Sequence, residues 1–172
     1  MKGMMQHRPL LISNILEYAA EAHAKAEIIS VRTEGDIHRQ TYPQTLRRVY
    51  QLANALQGLG VQLGDRVATL AWNGYRHFEL YYAISGQGAV CHTINPRLSA
   101  EQLIYIVNHA EDKLIFVDTT FVPILQAVRS ELPADLRFVI MTDRAHMPEN
   151  TLDALCYEEL LVDQRESFDW PE

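Results

Sequence analysis

Residues 60–99, GVQLGDRVATLAWNGYRHFELYYAISGQGAVCHTINPRLS, carry the strongest local signals in the chain and decide its fold class. Residues 66–71 read as a strand, a short apolar run that follows the loop Leu63-Gly64-Asp65 and is broken by Asn73-Gly74. Residues 76–85 form a helix that is apolar on nearly every side, through Phe78, Leu80, Tyr81, Tyr82, Ala83 and Ile84. Such a helix is expected to lie buried between layers. Gly86 and Gly88 stop it, residues 89–94 make a second strand, and Asn95-Pro96 turns the chain. Ser99 and Gln102 match a capping box opening a further helix, with Leu103, Ile104, Val107 and Ala110 facing inward.

Downstream the alternation continues. Residues 114–117 are a continuous apolar strand, and Thr120 is expected to cap a helix with Pro123 in its first turn and Leu125, Val128 and Leu132 inward. Residues 138–141 are the next strand, 144–150 a loop, 152–161 a short helix, and 167–172 a polar tail containing Phe168 and Trp170. Buried strands joined by helices predict an α/β fold: a three-layer, mostly parallel sheet with flanking helices and right-handed crossovers.

Upstream, residues 28–32 and 37–40 flank the turn Glu34-Gly35-Asp36 and predict a small N-terminal hairpin. Thr41 and Gln44 form another capping box, with Pro43 tolerated in the first turn and Leu46, Val49, Tyr50, Ala53 and Leu56 on the inner face. Residues 1–22 read as an amphipathic helix and not a signal peptide, because Ser13, Asn14 and Glu17 interrupt the apolar part. Asn14 and Glu17 mark its start, with Ile12, Ile15, Leu16, Ala19 and Ala22 along one face.

The chain has 172 residues, 48% of them hydrophobic and 22% charged, as expected of one globular domain or a piece of one. A net charge of −7 argues against nucleic acid as a partner. No run of ~18 apolar residues predicts a transmembrane helix. Cys91 and Cys156 form no CxxC pair, which suits a reduced, cytoplasmic setting.

Few residues point to chemistry by themselves. There is no GxxxxGK[ST], and Gly58, Gly60 and Gly64 follow a helix where a dinucleotide fingerprint must follow a strand. None of the seven histidines makes HxxxH or HExxH, so His77, His92 and His109 are read as packing or capping residues. Glu158, Glu159 and Asp163 read as a solvated helix face. Trp72, Tyr75, Phe78, Tyr81 and Tyr82 read as core before pocket lining. Arg97 is the exception. It follows a strand's carboxyl end and precedes a helix start, the edge where open parallel sheets bind ligands. A guanidinium there suits phosphate, though position alone favours a structural salt bridge.

Thr41-Tyr42 opening a helix, then GDRVA (64–68), GAVCHTINPRL (88–98) and NHAEDKLIFVD (108–118), resemble the adenylate-forming acyl-CoA synthetases. The run WNGYRHFELYYAISGQGAVCHTINPRL is similar to the medium- and long-chain fatty-acid–CoA ligase branch. The resemblance covers residues 10–172, and its final FDWPE resembles the approach to the family's phosphate loop. It implies a two-step ligase in which a fatty acid and ATP give an acyl-adenylate and pyrophosphate, with Mg²⁺ assisting, and CoA then displaces AMP. It also implies that residues 1–172 are the N-terminal part of the adenylation domain, with the catalytic residues beyond Glu172. The chain alone is then expected to be inactive and to bind none of ATP, CoA or Mg²⁺ tightly. The resemblance assigns no catalytic or metal-binding residue here. It assigns one cofactor contact, Arg97 on the phosphates of CoA's nucleotide, and pairing of two copies through the N-terminal region. The alternative is a non-catalytic α/β binding module derived from the same family.

Overall fold

The computed structural model describes residues 3–4 and 9–171. The part of the N-terminal helix expected at residues 1–2 and 5–8 lies outside the described residues. A two-stranded antiparallel hairpin, β1 (Glu27–Val31) and β2 (Ile37–Thr41), stands apart from the main sheet. The main sheet holds β3 (Arg66–Leu70), β4 (Val90–Thr93), β5 (Leu114–Val117), β6 (Arg137–Ile140) and β7 (Leu155–Cys156). Its order is β4-β3-β5-β6-β7, and every pair is parallel.

The strands' two-residue period sorts the core into two layers. Val67, Leu114, Phe116, Val139 and Met141 face helices α1 (Ser13–Ala22), α2 (Tyr42–Gly58), α3 (Tyr75–Gly86) and α6 (Tyr157–Leu161). Ala68, Leu70, Ile115, Val117, Phe138 and Ile140 face α4 (Ala100–Ala110) and α5 (Val122–Val128). The three-layer α/β sandwich and its hairpin are therefore as the sequence predicts. Both capping boxes form, at Thr41/Gln44 and Ser99/Gln102. Among the described residues no helix is long and apolar enough to cross a membrane.

Several local expectations are corrected. Helix α1 starts at Ser13 without a side-chain cap, and the Asn14 amide instead donates to the Pro9 carbonyl at 2.9 Å. Leu16 is buried, but Ile12, Ile15 and Tyr18 face solvent, so the proposed apolar face is split. Thr120 lies inside a 3₁₀ turn, Thr119–Phe121, and α5 begins with no side-chain cap. The single helix expected over 152–161 is a two-residue edge strand followed by the short α6. The Ser167-to-Trp170 end is not simply a polar tail, because Phe168 and Trp170 pack against the first core layer. The Asn54 amide donates to the carbonyls of Arg165 and Ser167, tying this segment to α2.

Gly86 makes room for the Trp170 ring. A Cβ there would meet the indole Cζ3 at 2.7 Å. Gly86→Ala should displace the indole, shift its emission to the red and lower stability by ~1–3 kcal/mol, as overpacking does. Unchanged emission and melting temperature would contradict the close fit.

Candidate functional site

The carboxyl ends of the parallel strands carry most of the buried polar chemistry. Glu79 on α3 is fully buried. It accepts from Arg48 Nε at 2.7 Å, Tyr157 Oη at 2.7 Å and Gln40 Nε2 at 3.0 Å. Glu158 accepts from Tyr75 Oη and Arg76 Nε, both at 2.8 Å, and pairs with Arg48 at 3.0 Å. Glu34, in the hairpin turn, accepts from Arg76 Nη1 at 2.8 Å and Thr142 Oγ1 at 2.9 Å. The neighbouring guanidinium groups outweigh burial and hold the Glu158 carboxyl below its usual range. The solvated face expected for Glu158 is thus corrected: it is a joint between α2, α3 and α6. Glu159 remains half exposed.

The loops after β3 and β5 diverge, since β3 leads through α3 to β4 at one side and β5 through α5 to β6 at the other. This is the switch point at which open α/β sheets place ligands. Here the Trp72 backbone N–H donates to Asp118 Oδ2 at 2.6 Å, bridging the two loops. Burial pushes the Asp118 carboxyl up to about 6. His77 Nδ1 lies 3.2 Å from the Trp72 carbonyl and Nε2 lies 3.0 Å from Thr69 Oγ1. Because a carbonyl only accepts, Nδ1 is assigned the proton and Nε2 accepts from the hydroxyl. Burial lowers the His77 pKa, which favours this neutral form.

The aromatic set divides. Phe78 and Tyr82 pack on the core, and Tyr75 is buried, stacked 3.7 Å from His38. Trp72 and Tyr81 are at least 40% exposed, so α3 is less enclosed than its composition predicts. His92 pairs with the buried Asp112 at 2.8 Å, pinning the edge strand β4, and His109 stacks on Tyr105. These placements agree with structural roles for all three histidines. Cys91 and Cys156 are free thiols, and burial pushes Cys91 up to about 11, so it stays protonated.

Arg97 is exposed, between β4 and α4, and its guanidinium has no partner among the described residues. The salt-bridge option left open by its position does not form. At the start of α4 the capping box satisfies the backbone amides of Ser99 and Gln102, while those of Ala100 and Glu101 meet no acceptor among the described residues. A groove of about 760 Å³ lies alongside, lined by Leu98, Ser99, Glu101, Gln102, Tyr105 and Ile106.

Sequence reasoning missed Arg48, Arg76, Glu34, Glu79 and Asp118. The signal available was Arg76 and Glu79 inside an otherwise apolar helix, since charges in a buried helix need partners.

A family model described as "AMP-binding enzyme" matches residues 16–166. The chain is 44% identical over 172 residues to a 3-methylmercaptopropionyl-CoA ligase of Ruegeria lacuscaerulensis, covering 99% of this chain and 32% of that protein. It is 41% identical to a medium-chain-fatty-acid–CoA ligase of Ectopseudomonas oleovorans, covering 100% and 32%. Against a long-chain-fatty-acid–CoA ligase of Thermus thermophilus it is 42% identical, covering 98% and 30%. The chain thus spans about a third of the length of these curated relatives. Among solved structures, an anthranilate CoA ligase in complex with anthranoyl-AMP superposes with a TM-score of 0.81 at 23% identity, over 97% of this chain and 31% of that one. A fatty acyl CoA synthetase of Mycobacterium tuberculosis gives 0.70 at 24% identity, over 94% and 29%. These superpositions establish the shared fold.

Asp118 provides a test of the switch-point electrostatics. Its folded pKa lies above that of an unfolded aspartate, so the folded protein holds the proton more tightly. Stability should therefore fall as pH rises from ~4 to ~6, and stay lowered above that. Asp118→Asn should remove this slope and raise stability at pH 7 by ~1–3 kcal/mol. Urea unfolding from pH 4 to 8 reads both effects, and an unaltered pH profile would contradict the assignment.

Proposed function

Because this chain belongs to the AMP-binding enzyme family, we propose that it forms the N-terminal part of the adenylation domain of an AMP-forming fatty-acid–CoA ligase. The net reaction joins a fatty acid to CoA and converts ATP to AMP and pyrophosphate. Likeness to fatty-acid–CoA ligases along the whole chain carries this reading. ATP supplies the activated phosphoryl group that makes the carboxylate's oxygen a leaving group. The described residues include no cluster of three His, Cys, Asp or Glu side chains able to hold a metal ion, and no Mg²⁺ ligand is assigned to them.

The part this chain plays is framing and one contact. Arg97 fits a phosphate of CoA's nucleotide, being an exposed guanidinium without a protein partner beside a groove with an aromatic wall at Tyr105. Pairing of β4 with β3 and the Ser99/Gln102 capping box hold that turn at the sheet's edge. The same reading carries a cytoplasmic location, which suits two unpaired thiols. It also carries pairing of two copies, supported by the exposed Ile12 just before α1 and Ile15 and Tyr18 on it.

Two measurements test the proposal. The chain of residues 1–172, given fatty acid, ATP and Mg²⁺, should release no pyrophosphate above background, and robust turnover would overturn the division of labour. In a version extended to the length of the relatives, Arg97→Ala should raise KM for CoA roughly tenfold, the loss of one charge-assisted hydrogen bond of ~1.5 kcal/mol. KM for ATP should stay unchanged. Equal CoA kinetics in both proteins would remove Arg97 from the site.

A further inference from the structure

Helix α3 begins without a cap. Gly74, its N-cap residue, is extended at φ −137° and ψ 174° and has no side chain to offer. Tyr75, Arg76 and His77 are each no more than 5% exposed. Among the described residues their backbone N–H groups meet no acceptor. A buried helix start with open donors favours an anion, through both its N–H groups and the helix dipole.

Arg76 supplies an independent signal. Its Nε donates to Glu158, and its Nη1 to Glu34 and the Met141 carbonyl. Its Nη2 is buried with no partner, on a residue only 4% exposed. An unpaired buried guanidinium nitrogen is costly unless an acceptor reaches it. Arg76 stands in the wall of a cavity of about 30 Å³, with Arg32, Trp72, Gly74, Asp118 and Met141. That volume admits a water-sized group, such as one end of a carboxylate or phosphate. The cavity also lies at the switch point between β3 and β5, where the fold itself favours a ligand.

We propose that this cavity binds a small oxyanion, a carboxylate or phosphate group, on the N–H groups of Tyr75, Arg76 and His77 together with Nη2 of Arg76. The site stands apart from the Arg97 turn and does not rest on the ligase reading. The charges around it set its pH dependence. Arg32 is answered by Asp36 and Asp143, and Arg76 by Glu34 and Glu158. Tyr75 donates to Glu158, and burial lowers the His77 pKa, favouring its neutral form. Asp118 is the remaining carboxylate on the wall, and its Oδ2 accepts only the Trp72 N–H. An incoming oxyanion repels it while it is ionised. Once protonated it becomes a donor, so binding takes up a proton and strengthens as pH falls below about 6.

The test is an amide-resolved NMR titration of the full chain with sodium acetate and with sodium phosphate, against sodium chloride at matched ionic strength, at pH 5.5 and 7.5. Saturable shifts at Tyr75, Arg76 and His77 are expected, tighter at pH 5.5. The acetate and phosphate arms show which oxyanion the cavity prefers. Gly74→Asp is the decisive variant, since its carboxylate would occupy the same amides. The Gly74 backbone is extended and an added Cβ meets nothing within 4 Å, so the variant should fold and melt higher. It should bind the anion at least tenfold more weakly. Asp118→Asn should bind while losing the pH dependence. Shifts linear in salt, or Gly74→Asp binding like the parent, would overturn the proposal.

Discussion

A chain of buried ion pairs holds this fold at its working edge. Arg48 and Arg76 sit between Glu79, Glu158 and Glu34. These five side chains belong to α2, α3, α6 and the hairpin turn. Taking such groups out of water costs several kcal/mol per ion, and removing one partner of a buried pair typically costs ~3–5 kcal/mol. The arrangement therefore persists only with every member in place. Apolar packing could bring the same helices together, but it is non-directional. The forked hydrogen bonds specify how the hairpin turn and α6 meet α3 and the carboxyl end of β6.

That constraint makes sense of the layers. The two-residue period of β5 and β6 sends alternate side chains into two cores, one under α1, α2, α3 and α6, the other under α4 and α5. Both cores are apolar and need no guidance beyond burial. The polar groups collect where strands end and loops diverge, because backbone and side-chain donors there lack sheet partners. Arg76 links the two regimes: its helix fills the first core while its head group reaches the Met141 carbonyl at the end of β6. His38, stacked on Tyr75, adds an aromatic contact between the hairpin and α3.

Much of this was legible in the sequence, and for identifiable reasons. Residues 114–117 and 138–141 are continuous apolar runs, and only a strand buried on both faces reads so. Thr41 with Gln44 and Ser99 with Gln102 fixed two helix starts through local hydrogen bonds. What escaped was non-local. Asn14 resembled a cap, but the chain had already turned at Ile12. Leu155 and Cys156 form a strand only because β6 lies beside them. Trp170 looked like part of a polar tail, and its place depends on the gap left by Gly86, distant in sequence. Glu158 looked solvated because Arg48, its partner, is 110 residues away. At the Arg97 turn, position alone names no ligand, and the CoA phosphate proposed there rests on the family likeness.

The central claim is that the five charged residues act as one unit. Among the described residues Arg48 and Glu34 share no direct contact and are linked through Glu158 and Arg76, with the Tyr75 ring lying against both guanidinium groups. A double-mutant cycle of Arg48→Met and Glu34→Gln, read by urea unfolding, tests this directly. The account predicts that the combined loss departs from the sum of the single losses by ~1 kcal/mol or more, as residues of one network do. Additivity within ~0.5 kcal/mol would mean that the pairs act separately, and would contradict it.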